Sequence, residues 1–221
     1  MRRILRENGL TIVLIALFLF TLVGQSLTGH HEYNEDQREH GQPTIGFAEY
    51  LGSGHFIEAT FENWESEFLQ MAAFVVLTVF LYQKGSSESK EYGRLEEVDI
   101  LPEKSLIPED APWPVRRGGW VLKLYENSLS LVFVILFLAS LYLHAYGGAQ
   151  VYNEDQMEHG GKEVLSAFGY MSTCRFWFES FQNWQSEFLS VAGMVVFTIF
   201  LRQRGSPESK PVFIAHDETE R

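Results

Sequence analysis

The chain has one cysteine and only seven prolines among 221 residues, and it has no strongly basic stretch. A single thiol, Cys174, excludes an internal disulfide and a cysteine metal cluster. A formal charge of −12 with no basic stripe excludes a nucleic-acid partner. There is no glycine-rich phosphate loop, no cysteine–histidine zinc spacing and no nucleophile–base pair in a recognisable context. Nothing in the sequence therefore asks for catalysis. Charge is missing from two long blocks as well. Residues 10–27 carry none, and residues 128–146 carry none but include His144. A helix needs roughly 20 predominantly apolar residues to cross a bilayer core, so both blocks suit spans. Two further blocks, residues 68–82 and 188–201, are shorter. At about 1.5 Å per residue they reach a core of roughly 30 Å only by taking about one turn from the polar segment before them, or by thinning the bilayer.

What is present is written twice. Residues 33–41 read YNEDQREHG and residues 152–160 read YNEDQMEHG. FENWESEFLQ at 61–70 returns as FQNWQSEFLS at 181–190, and QKGSSESK at 83–90 returns as QRGSPESK at 203–210. Each copy holds one long and one short apolar block, so the repeat unit is a transmembrane hairpin. The fold class expected is an all-α membrane protein. Its four transmembrane helices, near 10–27, 63–82, 128–146 and 183–201, come from two tandem hairpin repeats in the same orientation. The repeats occupy 1–84 and 120–204, with a linker at 85–119 and a tail at 205–221. Arg2, Arg3 and Arg6 before an apolar run resemble a cleaved signal peptide, but the matching run after Glu126 and Asn127 is internal. The first block is therefore read as an anchor too.

Cations orient the loops. Of the 17 Lys and Arg residues, 14 lie in the N-terminal segment, the stretch from Lys84 to Lys123 and the tail; only Arg38, Lys162 and Arg175 lie in the two loops inside the repeats. The positive-inside rule then places both termini and the linker in the cytoplasm and the YNEDQ loops outside. The linker, rich in Ser, Glu and Pro, is expected to be mostly extended or disordered, and the acidic tail to be loose. Trp113 and Trp120 with Arg116, Arg117 and Lys123 suit an interfacial anchor.

Two groups of residues suit a site. In the repeated motif Asn34 and Asn153 suit helix N-caps, and Gly41 and Gly160 suit helix stops. Asp36 and His40, and Asp155 and His159, are then four apart on one face, a donor pair suited to Zn²⁺, Mn²⁺ or Fe²⁺. The same spacing equally suits a capped surface helix with a local Asp–His hydrogen bond. The second group is a polar stripe: Asn63, Glu67, Gln70 and Thr78, repeated as Asn183, Glu187, Ser190 and Thr198. Gln25, matched by His144, adds a polar end to the first helix of each copy. Ionisable groups in a span suggest cation or proton binding, while polar groups there also bridge helices.

RRILRENGL, YNEDQREHGQP, GHFIEATFENWESEFLQM and VFLYQKGSSESK together resemble an uncharacterised family of bacterial integral membrane proteins, a domain of unknown function. The resemblance covers nearly the whole chain outside the linker and tail. It implies a multi-pass protein of the bacterial cytoplasmic membrane and carries no catalytic or binding positions. The expected function is a non-enzymatic structural or accessory component. Its partners would be the lipid bilayer and a second copy or another membrane protein. The alternatives are a divalent-cation- or proton-binding transport protein and, behind it, a metal-dependent membrane enzyme.

Overall fold

None of the seven prolines falls within the four long helical stretches, so their backbone ladders run unbroken. The computed structural model describes residues 2–100, 107–161 and 164–219. Lys104, Lys162 and Arg221, three of the cations used to orient the loops, lie outside the described residues. The elements run α1 (Arg2–Glu7), α2 (Gly9–Glu39), α3 (Phe47–Tyr50), α4 (Gly54–Phe80), a 3₁₀ turn (Glu97–Asp99), α5 (Trp113–Arg117), α6 (Gly119–Glu126), α7 (Ser128–Glu158), α8 (Ala167–Tyr170) and α9 (Cys174–Phe200). There is no strand among the described residues. The protein is all-helical, and α2 and α7 are long and apolar enough to cross a membrane. Both have 31 residues, whereas α4 and α9 have 27 each. At 1.5 Å per residue these lengths are about 46 Å and about 40 Å.

The extra length of α2 and α7 corrects one sequence expectation. YNEDQ is not a separate capped helix but the last turns of the same apolar helix. Asn34 and Asn153 are therefore interior helical residues, not N-caps. The stops come where expected: Gly41 and Gly160 have φ of 71° and 77°, the left-handed conformation that glycine adopts without steric cost.

The chain forms two compact units, and each draws on both sequence copies. The first comprises Met1–Phe61 and Tyr142–Phe176, the second Glu62–Leu141 and Trp177–Arg221. In the first unit the start of α4 and the end of α7 meet through glycines. A Cβ on Gly54 would lie 2.9 Å from the Gly147 carbonyl oxygen, and one on Gly147 would overlap the Glu58 backbone. Small residues let two backbones approach this closely. Tyr50 and Tyr170 are the unit's anchors, 1% and 0% exposed.

The second unit contains two copies of one turn. Gln83 N–H donates to Ser89 Oγ (2.7 Å), and Gln203 N–H donates to Ser209 Oγ (2.9 Å). Glu88 N–H donates to Ser86 Oγ (3.1 Å), and Glu208 N–H to Ser206 Oγ (3.2 Å). These serines pull the chain out of α4 and α9 in the same way. The start of the linker is thus folded, not extended. Ser86 is buried and paired with Thr198 (3.0 Å), and Ser87 Oγ donates to the Glu208 carbonyl (3.1 Å). The tail is not loose either. The buried Lys210 ammonium donates to the carbonyls of Ala215, His216 and Glu218 at 3.1, 3.1 and 2.8 Å. An ammonium has three protons, and all three are used here. Expecting disorder from Ser and Glu content missed these serine and lysine bonds to backbone.

Candidate functional site

The repeated Asn is the first device. Asn34 Nδ2–H donates to the Ile45 carbonyl (3.0 Å), and Ile45 N–H donates to Asn34 Oδ1 (2.8 Å). Asn153 does the same with Leu165, at 2.9 and 2.8 Å. One amide side chain thereby completes both backbone groups of a loop residue and holds the loop against its helix. His30 Nε2 lies 2.9 Å from the Ile45 carbonyl as well; Ala149 at the corresponding place offers nothing.

The Asp–His pairs form locally. His40 Nδ1 is 3.0 Å from the Asp36 carbonyl and 3.3 Å from its carboxylate. The hydrogen bond to that carbonyl, then the nearby Asp36 charge, raises the His40 pKa. His159 Nδ1 is 2.8 Å from the Asp155 carbonyl, and Arg175 takes the Asp155 carboxylate at 2.9 Å. All four residues are exposed. They do not form a three-donor metal cluster among the described residues. Their neighbourhood is acidic: the Tyr33 pKa is raised by burial and by Glu154, Glu158, Asp36 and Glu49, and the Glu154 pKa is raised by loss of solvent, Glu158 and Asp155.

The polar stripe divides. Asn63 and Glu67 are exposed, and Glu187 is half-buried. The groups that turn inward are their neighbours. Glu65 and Ser66 are buried; Glu65 accepts from the Trp184 indole (3.2 Å), and Glu62 accepts from the Asn183 amide. Gln25 Nε2–H donates to Thr60 Oγ1 (3.3 Å), so it bridges α2 to α4. His144 is 0% exposed and stacks on Phe176 with ring centroids 4.9 Å apart.

His144 has company that the sequence reading missed. A Glu58 carboxylate oxygen and a His144 ring nitrogen lie within 4.8 Å of one another. The buried Tyr170 hydroxyl donates to Glu58 Oε1 at 3.4 Å. A Cβ at Gly148 would fall 2.9 Å from that same oxygen, so glycine makes room for the carboxylate. A carboxylate, an imidazole and a phenol are thus gathered where α4 passes α7. The signal was present in the repeat: Glu58 stands opposite Phe178, and His144 opposite Gln25. Chemistry-bearing residues sit where the two copies depart from each other.

A cavity of about 970 Å³ opens in the second unit. Its two cations are paired, Lys90 with Asp99 at 2.7 Å and Arg94 with Glu91 at 3.1 Å, and Glu88, Glu96 and Glu97 leave the lining acidic. The family model described as Domain of unknown function (DUF6766) matches residues 1–221. No curated protein and no solved structure matches the chain.

Proposed function

We propose, for a chain that belongs to the DUF6766 family of unknown function, that it is a four-span membrane protein with a structural or accessory role. The observation that carries this reading is the uncovered apolar girdle. Leu10 and Phe20 on α2 are 75% and 76% exposed, and Phe80, Ile135 and Leu189 are 70%, 63% and 73% exposed. Burying one such side chain is worth about 1.5–3 kcal/mol. Eleven large apolar side chains between Leu10 and Leu27 are exposed, so that stretch alone forgoes on the order of 20 kcal/mol in water. A whole domain is stable by only about 5–15 kcal/mol. Lipid removes the deficit. The hydroxyls on these helices support the same reading, because they turn back onto their own backbone: Ser26 to Leu22 (2.7 Å) and Thr78 to Phe74 (2.9 Å). That is how a polar side chain is satisfied where water is scarce.

In this reading α4 and α9 span as well, the termini and linker are cytoplasmic in a bacterial membrane, and the ends of α2 and α7 present carboxylates outward. Glu35, Asp36, Glu39, Glu154, Asp155 and Glu158 are exposed there and suit contact with a basic partner surface. Cation or proton binding is the second reading, favoured by the Glu58–His144 approach. An alkaline carbonate wash followed by reporter fusions tests the membrane reading. The protein should stay with the membrane, and fusions after Gln42 and Gly161 should report the outside, those after Tyr92 and Lys210 the cytoplasm. Release by carbonate, or a Tyr92 fusion reporting the outside, would contradict it.

A further inference from the structure

We infer that Glu58 and His144 are ligands of one divalent first-row transition-metal ion. This gives chemical content to the cation reading and does not depend on how many helices span. The donors are of the right kind: imidazole nitrogen with carboxylate oxygen suits Zn²⁺, Mn²⁺ or Fe²⁺, whereas Ca²⁺ and Mg²⁺ prefer all-oxygen sets. They are at the right separation. Bonds of about 2.0–2.2 Å put two donors on one ion roughly 3–3.5 Å apart. The observed approach, within 4.8 Å, reaches this by side-chain adjustment of about 1 Å.

The surroundings fit a ligand shell. Metal-bound carboxylates are themselves hydrogen-bonded, and the Tyr170 hydroxyl already donates to Glu58 Oε1. The His144 ring is fixed by the Phe176 stack and is 0% exposed, so its orientation is set in advance. Gly147 and Gly148 allow the two helices to come together; a Cβ on Gly147 would overlap the Glu58 backbone. The pair is not duplicated by the repeat, whose equivalent residues are Phe178 and Gln25.

The test is metal binding by protein purified in mild detergent, stripped with chelator and titrated with Zn²⁺ or Mn²⁺. Wild type should take up about one equivalent per chain. Glu58→Gln and His144→Gln, the latter introducing the first copy's residue, should each lose affinity by about 100-fold or more, and Tyr170→Phe by about 10-fold. His40→Ala with His159→Ala should leave the titration unchanged. Co²⁺-loaded wild type gives an arm that needs no variant: it should show visible ligand-field bands and paramagnetically shifted imidazole resonances. No uptake by wild type, uptake that survives both ligand variants, loss confined to the His40/His159 variant, or Co²⁺ without imidazole ligation overturns the proposal. Because the titration is done in detergent, its failure is separate from failure of the carbonate wash, which addresses the membrane reading alone.

Discussion

The two loops that follow α2 and α7 bury the same tyrosine and put its hydroxyl to different use. Tyr50 lies over Gly29 and Tyr170 over Gly148, so close that a Cβ on the glycine would collide with the Tyr50 hydroxyl in the first case and with the Tyr170 ring in the second. Tyr50 OH lies 3.1 Å from His55 Nδ1, and His55 Nε2 reaches Glu32 at 3.3 Å, all within the first sequence copy. Tyr170 OH donates instead to Glu58, so the second loop is tied to the first copy's helix. The asparagine clamps beside them are alike in both loops. The difference is physical. A side chain bonded to backbone keeps its partner whatever the partner residue is, while a side chain bonded to a side chain changes meaning when that residue changes. The shared asparagine clamps are backbone-directed, whereas the two tyrosine hydroxyls meet side chains and have parted.

The largest effect should come from the helix crossing. Gly147→Ala puts a methyl into the Glu58 and Gly54 backbone, whereas Gly29→Ala meets only the hydroxyl end of Tyr50. Thermal unfolding in detergent should show Gly147→Ala as the more costly, by about 1–3 kcal/mol; equal losses would break the contrast. Next come the clamps. Asn153→Ala strips both partners from Leu165, at about 2 kcal/mol. Asn34→Ala should cost less, because His30 remains 2.9 Å from the Ile45 carbonyl. Hydrogen exchange of the loop amides reads this directly, and adding His30→Ala should erase the advantage. Tyr50→Phe and Tyr170→Phe should each cost about 1 kcal/mol. Only the second should weaken metal binding.

The smallest effect is electrostatic. His40 gains from the Asp36 carbonyl and charge, so its folded pKa is raised. That contribution is fully present below about pH 6.5 and fades as pH rises through the folded value. NMR titration should place the His40 midpoint above that of an unstructured histidine; a midpoint at or below it removes the local pair.

The long apolar helices, the helix stops at Gly41 and Gly160 and the Asp–His pairing were legible because each depends on neighbours in sequence. The function of Asn34 and Asn153 was misread, since an Asx residue before acidic residues has the pattern of an N-cap; only the loop returning at Ile45 and Leu165 reveals the clamp. In the first copy the buried carboxylate is Glu65, two residues before the stripe's Glu67, and it meets Trp184. Glu58 escaped because its partners, His144 and Tyr170, are far away in sequence and their approach depends on a glycine crossing that periodicity does not report. Lys210 looked like a tail cation, and its three carbonyl partners appear only once the tail folds back.

The proposed arrangement, a duplicated membrane hairpin with both copies in one orientation, can be read by cysteine accessibility in intact cells, in a Cys174→Ser background. Glu35→Cys, Met157→Cys and Tyr92→Cys each place a thiol at an exposed position. An impermeant maleimide should label the first two in intact cells and the third only after permeabilisation. Glu35→Cys and Met157→Cys on opposite sides, or Tyr92→Cys labelled along with them, would contradict it.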